Sequence, residues 1–327
     1  MDTRTCTANP ELYLTLLERE GVDQGAIEEA RIAYEYSIES EHVSITPIAI
    51  YEQDIPIGHM ALIRDTQLPE GTAFFGFLFA PTEDRFSALW SALIKEARLQ
   101  GIHTLKGPID GSIWHSYRTV AEADDAPRFV SEPVLIPTHY TFLNSLGPKE
   151  EVRYVSARRT SFDMVPMLLG KASLAALPFL GCVLSEERNP TPRIMRAIAE
   201  LGRRTFSGSW GYTELTESEF LSLYAPQRLA GHLSTLYLVH KGDELVGFCS
   251  TARMGEETLV VKTICIAPEY QGKGLGNALA YRLHADARER KISCMIYALI
   301  REGNGVRRFP KDGIEIFRHY AAFTFDL

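Results

Sequence analysis

Thr263-Ile264-Cys265-Ile266-Ala267-Pro268-Glu269-Tyr270 runs directly into Gln271-Gly272-Lys273-Gly274-Leu275-Gly276, where three glycines stand at alternate positions. Upstream, Glu257 to Ile266 is rich in Val and Ile and reads as a buried strand. Downstream, Leu275, Leu279 and Leu283 follow at i, i+4 spacing and read as one face of a helix. Glycines between a strand and a helix remove the side chains that keep a ligand from the backbone. The free amides of the helix start, at the positive end of its dipole, then form a cradle for an anion such as a pyrophosphate.

Spacing separates this loop from two other glycine motifs. A dinucleotide fingerprint needs GxGxxG after the first strand of a βαβ unit, whereas these glycines are spaced GxGxG late in the chain. A P-loop needs GxxxxGK followed by Ser or Thr, and Lys273 is followed by Gly274. A strand-to-helix turn that uses glycine for shape alone is the remaining reading, and three glycines in five residues weigh against it.

Working outward, the helix leads through Lys291 into a strand from Ile292 to Leu299. Before the loop come helices from Pro192 to Phe206 and Glu217 to Leu229, then strands Leu236 to His240 and Glu244 to Met254 paired across Lys241-Gly242-Asp243. The first half has the same order. Helical patterns lie around Leu12 to Leu17 and from Gly25 to Ser40. Strands Ser44 to Tyr51 and Pro56 to Ile63 follow across Glu52-Gln53-Asp54, with a third strand from Gly71 to Phe79. A helix from Glu83 to Gln100, capped by Thr82 and stopped by Gly101, leads to a strand from His103 to Gly107. Both halves thus read helix, helix, hairpin, strand, helix, strand, which implies two similar domains. Gly170 to Asn189, with Leu174, Leu177, Phe179 and Leu180, is expected to pack as a strand-like bridge. The expected organisation is a degenerate domain over 1-165, a connecting segment over 166-188 and a second domain over 189-327.

Bulk properties narrow the class. A chain of 327 residues with 45% hydrophobic and 23% charged residues can fill two cores. A net charge of -8 argues against nucleic-acid or anionic-membrane partners, which need a basic excess. Cys6, Cys182, Cys249, Cys265 and Cys294 are scattered and never spaced as CxxC, so no metal is expected and a reducing cytoplasm is. No apolar run of membrane-spanning length occurs.

Gln271-Gly272-Lys273-Gly274-Leu275-Gly276 resembles the Q/R-x-x-G-x-G/A motif of the GNAT N-acyltransferase superfamily, and Thr263 to Tyr270 is similar to the strand that enters it. Trp210-Gly211-Tyr212 resembles the Asn-Trp-Gly-Phe region of large GNAT proteins, and Phe74-Phe75-Gly76-Phe77 with Gly107-Pro108-Ile109 resembles their first half. The resemblance implies an α/β fold of two GNAT-like domains forming an intramolecular pseudo-dimer, each a mixed, mostly antiparallel twisted sheet flanked by helices. It also implies acetyl-CoA or another acyl-CoA as co-substrate. The cofactor residues would be Gln271 to Gly276, the backbone of Ile264, Cys265 and Ile266, one of whose amides holds the thioester oxygen, and Asn304. In the first half Ala80-Pro81-Thr82-Glu83-Asp84-Arg85 replaces the glycine loop, and its acids would repel a pyrophosphate.

Acyl transfer needs a neutral amine, an oxyanion donor and a proton for the departing thiolate. The Glu that many relatives carry on the motif strand aligns with Val260, leaving Glu257 or water as base. No Tyr aligns with the family acid, where Phe309, Pro310 and Lys311 stand, so Tyr297 and Tyr320 are the candidates. Arg282 and Arg288 join Lys273 as candidate phosphate ligands. Trp114, His115, Trp210 and Tyr212 are candidates to line an acceptor pocket, and core packing is the alternative for each. The expected function is transfer of a short acyl group to the amine of a small molecule. The alternatives are acyl-CoA sensing without turnover, an acceptor that is a protein lysine, hydroxyl or carrier-bound group, and a structural protein with an empty loop.

Overall fold

Alternation of buried and polar positions makes the hairpin strands, and apolar stripes of helical period make the helices that cover them. The computed structural model describes residues 2–162, 167–224, 233–303 and 313–327. Its contacts divide the chain into two units. The first holds Met1–Tyr154, Trp210–Thr213 and Arg318–Leu327, and the second holds Val155–Ser209 and Glu214–Phe317.

The first unit contains β1 (Asp2–Thr5), α1 (Pro10–Arg19), α2 (Gln24–Glu39), β2 (Val43–Glu52), β3 (Ile55–Asp65), β4 (Thr72–Phe79), α3 (Glu83–Leu99) and β5 (Thr104–Gly107). Short strands β6 (Ile109–Asp110), β7 (Ser116–Tyr117) and β8 (Thr119–Ala123) and helix α4 (Thr138–Ser145) follow. Strand β9 (Glu150–Arg159) begins in this unit and ends in the second. The second unit continues with α5 (Leu168–Ala176), β10 (Cys182–Glu187), α6 (Pro192–Phe206), α7 (Glu217–Leu223), β11 (Leu233–Lys241), β12 (Glu244–Met254), β13 (Thr258–Ile266), α8 (Leu275–Glu289) and β14 (Cys294–Arg301). Strand β15 (Ile314–Asp326) begins there and passes to the first unit at Arg318.

The sheet of the first unit has the order β1-β2-β3-β4-β5-β15, antiparallel except for the parallel pair β4 and β5. Gln53 and Asp54, with φ of 49° and 62°, form a two-residue turn whose left-handed backbone matches the strand twist. Gly101, with φ of 73°, ends α3 as expected, whereas the Thr82 side chain makes no capping hydrogen bond. Helix α3 buries Phe86, Leu89, Trp90 and Leu93 against Ile48, Leu62, Phe75, Phe323 and Phe325. Each such side chain contributes about 2 kcal/mol of burial free energy.

In the second unit the order is β10-β11-β12-β13-β14, again antiparallel except for the last pair, β13 and β14. Helix α6, capped by the Thr191 side chain on the Ile194 amide, places Met195, Ile198 and Leu201 in the core. Helix α8 buries Leu275, Leu279 and Leu283, as their spacing predicts. Helix α7 ends at Leu223, and residues 225–229 of the expected helix to Leu229 lie outside the described residues.

The strand-like bridge expected over Gly170 to Asn189 is corrected. Its first part is helix α5, and only Cys182–Glu187 is a strand. The reason is the kind of residue that α5 presses on α8. A Cβ at Gly170 would come within 2.8 Å of the Asn277 carbonyl and the Tyr281 side chain, so α5 meets α8 at a glycine, which leaves no apolar mark at that position of the sequence. Leu168 and Leu169 point outward.

Candidate acyl-CoA site

Strand β13 and helix α8 position the glycine loop. The parallel register of β13 with β14 pairs Thr258–Val261 with Cys294–Tyr297, and among the described residues it does not continue beyond Val261. At that point β13 also carries a bulge, because Thr263 faces Ser250 and Val261 faces Thr251, leaving Lys262 as the extra residue. Past the bulge one edge of β13 remains paired with β12 while the other is released from β14.

The direction of the amides on that released edge follows from one hydrogen bond. The Ala267 N–H donates to the Val246 carbonyl on β12 at 2.9 Å. In an extended strand alternate residues face the same neighbour, so the Cys265 N–H also points to β12, and those of Ile264 and Ile266 point to the released edge. The Ile266 carbonyl on that edge accepts from Gln271 Nε2 at 3.2 Å, which ties the end of the strand to the loop.

Gly272 and Gly274 have φ of 76° and 89°, left-handed values that favour glycine. A Cβ at Gly274 would meet Ser173 Oγ of α5 at 3.0 Å, whereas one at Gly272 or Gly276 would meet no atom within 4 Å. Packing therefore does not require the missing side chains at 272 and 276, and their absence leaves open space above the loop. Gly274 caps α8 without a side chain, so no cap side chain takes up the first-turn amides. Open space, free amides and a helix dipole together suit a pyrophosphate.

The cations near the loop differ in their commitments. Arg282 is ion-paired with Glu186, and Arg204 with both Glu269 and Glu244. Arg288 is thirteen residues beyond Leu275, about 20 Å along the helix, and stands far from the cradle. Lys273 belongs to the loop, with Nζ 5.0 Å from the Tyr270 ring centroid.

Tyr297, the last β14 residue in the register with β13, directs its hydroxyl to Nε2 of His284 on α8. The Nδ1 of His284 lies 2.6 Å from the Ala280 carbonyl. Burial pushes Tyr297 up to about 12, opposed by Arg159, and pushes His284 down to about 4. Tyr320 lies in the first unit, where its buried hydroxyl donates to Glu132. Cys265 is buried with its thiol pushed up to about 11 by burial, which fits packing and not nucleophilic chemistry. Val260 is fully buried. Glu257 precedes β13, about 23 Å of strand from Ile264, and its carboxylate accepts from the Ser293 hydroxyl, so the suggestion that it serves as base is corrected. Asn304, Phe309, Pro310 and Lys311 lie outside the described residues.

Trp114, His115, Trp210 and Tyr212 all belong to the first unit, whereas the glycine loop belongs to the second. His115 Nδ1 is 2.9 Å from Ser112 Oγ, and its ring stacks on Tyr36 at 4.6 Å. Trp210 is buried and donates from Nε1 to Thr324 Oγ1 at 3.1 Å, and a Cβ at neighbouring Gly211 would lie 2.9 Å from Ile109.

The first unit has a matching parting between β4 and β5, and its own chain fills it. The register stops at Phe74 and Lys106, and Phe77 has a left-handed φ of 47° at a bulge. Strand β6 enters beside it, so closely that a Cβ at Gly76 would lie 1.9 Å from the Ile109 carbonyl. The Phe77 N–H donates to Asp110 at 2.5 Å, and His59 Nδ1 donates to the Phe77 carbonyl at 2.7 Å. Sequence reasoning missed Asp110, Ser173 and His284, none of which carries a motif.

Residues 195–309 match the Acetyltransferase (GNAT) family. Among solved structures, a tandem GNAT protein from the clavulanic acid biosynthesis pathway is similar over 99% of this chain and 98% of its own, with 15% identity and a TM-score of 0.60. A GCN5-related N-acetyltransferase from Anabaena variabilis is similar over 99% of this chain and 72% of its own, with 12% identity and a TM-score of 0.57. A glucosamine N-acetyltransferase region of a fungal multi-domain β-N-acetylglucosaminidase is similar over 99% of this chain, which spans 38% of that protein, with 12% identity and a TM-score of 0.58. At these identities the likeness is one of fold. No curated protein matches the chain by sequence.

Proposed function

This chain belongs to the GNAT superfamily as a tandem-domain protein, and on that premise we propose that its second unit transfers a short acyl group, acetyl first among them, from acyl-CoA to the amine of a small molecule. The observation that carries the reading is the released edge of β13. It presents the Ile264 and Ile266 amides within the same element that delivers the open glycine cradle. Either amide is a preorganised donor for a thioester oxygen as it gains charge. Gln271 to Gly276 hold the pyrophosphate, and Asn304 is assigned to the cofactor from its place in the motif.

Transfer forms a C–N bond, breaks the C–S bond, removes one proton from the amine and supplies one to the thiolate. We assign both proton steps to Tyr297 with His284. Burial keeps the imidazole neutral, and its Nε2 accepts the tyrosine hydrogen as the tyrosine oxygen takes the amine proton; the return step protonates the thiolate. Trp114, His115, Trp210 and Tyr212 remain proposed acceptor contacts on sequence grounds. The free state of all described cysteines supports a reducing, cytoplasmic setting.

Titration calorimetry with acetyl-CoA on the wild type and Gly276→Glu tests the cofactor assignment. Gly276 has space around it and helical backbone, so the variant adds bulk and charge to the cradle without a clash. Binding lost in the variant supports the site, and equal binding overturns it. One observation favours a second reading, an acyl-CoA sensor without turnover: the strand position expected to hold a carboxylate base is the buried Val260. Acetyl-CoA binding without thiol release across a panel of amines would decide for the sensor.

A further inference from the structure

Residues 167–184 of the second unit carry a single charge, Lys171, yet much of their apolar surface is uncovered. They form α5, a 3-10 turn over Leu177–Leu180 and the first half of β10. Phe179 is 92% exposed, and Leu168, Leu169 and Val183 are 63%, 69% and 67% exposed. Elsewhere the exposed large apolar side chains stand singly, as is ordinary for a protein surface.

An open strand edge adjoins this segment. Among the described residues β10 pairs with β11 alone, so every second backbone N–H and C=O of Cys182–Glu187 faces outward. No bulge or proline blunts that edge. Residues alternate between the faces of a strand, and Glu186 is ion-paired with Arg282 of α8, so Val183 belongs to the face turned away from α8. Helix α5 packs on α8 itself, at Gly170. Uncovered apolar groups therefore flank the edge on both sides.

That arrangement selects the occupant. A lipid surface covers apolar side chains but leaves the N–H and C=O groups of the edge without partners, and a net charge of -8 opposes an anionic one. A lone peptide strand pairs the edge and leaves α5 bare. A second copy of this chain supplies both a strand with the same open edge and apolar groups on either side of it. We propose that the chain dimerises through β10, two copies joining antiparallel about a two-fold axis so that Phe179, Val183 and the outer face of α5 become covered. The antiparallel direction holds the Glu186–Glu187 ends of the two strands apart. The four large side chains, with the exposed alanines of α5 and the strand edge, offer an area on the order of the roughly 800 Å² that each partner of a standard interface buries.

Sedimentation velocity on the full chain over a wide range of concentration, with hydrogen exchange of β10, tests the proposal in the wild type and in Phe179→Asp. Phe179 makes so little contact within the chain that the variant is expected to keep the wild-type circular dichroism spectrum. The wild type should sediment at twice the mass of the chain, and its β10 amides should exchange more slowly as concentration rises. Phe179→Asp should weaken the association by about 100-fold and remove that protection. A wild type that stays monomeric overturns the proposal, as does a dimer that survives in the variant or leaves β10 exchange independent of concentration. Flotation of a monomeric wild type with phosphatidylglycerol vesicles, lost in Phe179→Asp, would overturn it too and give the face to a lipid surface.

Discussion

Tyr297 gives its hydroxyl hydrogen to Nε2 of His284, because Nδ1 of the same ring lies 2.6 Å from the Ala280 carbonyl and must carry the ring proton. The tautomer is thereby fixed, and a buried base stands behind the tyrosine. Tyr297→Phe leaves Nε2 buried without its donor, which costs about 1–3 kcal/mol of stability. If the pair moves protons, thiol release also falls by about 100-fold, while the affinity for acetyl-CoA measured by calorimetry stays within twofold. Unchanged turnover at lowered stability would leave Tyr297 a structural residue.

The buried histidines set the pH response. Burial lowers His59 and His284 to about 4 and His139 to about 3, all below the ordinary 6.5. His139 Nε2 accepts the Ala80 amide, which requires the neutral ring. Depressed values contribute stability that is fully present above pH 6.5 and is lost as pH falls toward 4, where the unfolded chain takes up protons that the folded chain refuses. Asp110, raised by burial to about 6, acts in the opposite sense between its ordinary 3.8 and 6. Three groups outweigh one, so the urea midpoint is expected to drop between pH 7 and pH 5 by several kcal/mol of stability. A midpoint that holds or rises over that range would contradict the neutral, buried placement.

The elements that positioned the site were legible because each is local. The β13 run, the alternate glycines and the leucine stripe of α8 lie within thirty residues, and strand period, turn chemistry and helix period each leave their mark there. Helix α5 was not legible, since it meets α8 at Gly170 and the loop at Ser173, and close approaches at such small residues leave no apolar mark. The plug of the first unit was equally hidden: Ile109 and Asp110 form a two-residue strand, too short for any periodicity. Which unit Trp210–Thr213 and Arg318–Leu327 join depends on contacts far along the chain, and their own patterns do not encode it.

Two glycines of one motif should behave in opposite ways. Gly274 has φ of 89° and faces Ser173 at 3.0 Å, so Gly274→Ala forces a strained backbone against a neighbour and should cost about 1–2 kcal/mol. Gly276 is helical with no atom within 4 Å of an added Cβ, so Gly276→Ala should stabilise α8 by about 0.5–1 kcal/mol. In acetyl-CoA titrations Gly274→Ala should bind more weakly, whereas Gly276→Ala should bind within twofold of the wild type at a higher unfolding midpoint, because Gly276 stands at the motif position that also takes Ala and has open space around it. A loss of binding in Gly276→Ala as large as in Gly274→Ala would mean that the two glycines serve the ligand alike.

Glu132 of the first unit, buried with 2% exposure, accepts from Arg318, from the Tyr320 hydroxyl and from the Phe129 amide at 3.1 Å. Its charge is tolerated because three donors meet it, one of them a guanidinium. Arg318→Met removes the counter-charge and leaves a buried carboxylate, which should cost about 3–5 kcal/mol. Adding Glu132→Leu removes the stranded charge, so the double variant should be more stable than Arg318→Met alone even though it has lost more hydrogen bonds. Urea unfolding of the three proteins measures this coupling. If the double variant is instead the least stable, the cluster holds Tyr320 and Phe129 in place by shape and hydrogen bonding, and the Arg318–Glu132 charge pair is secondary to it.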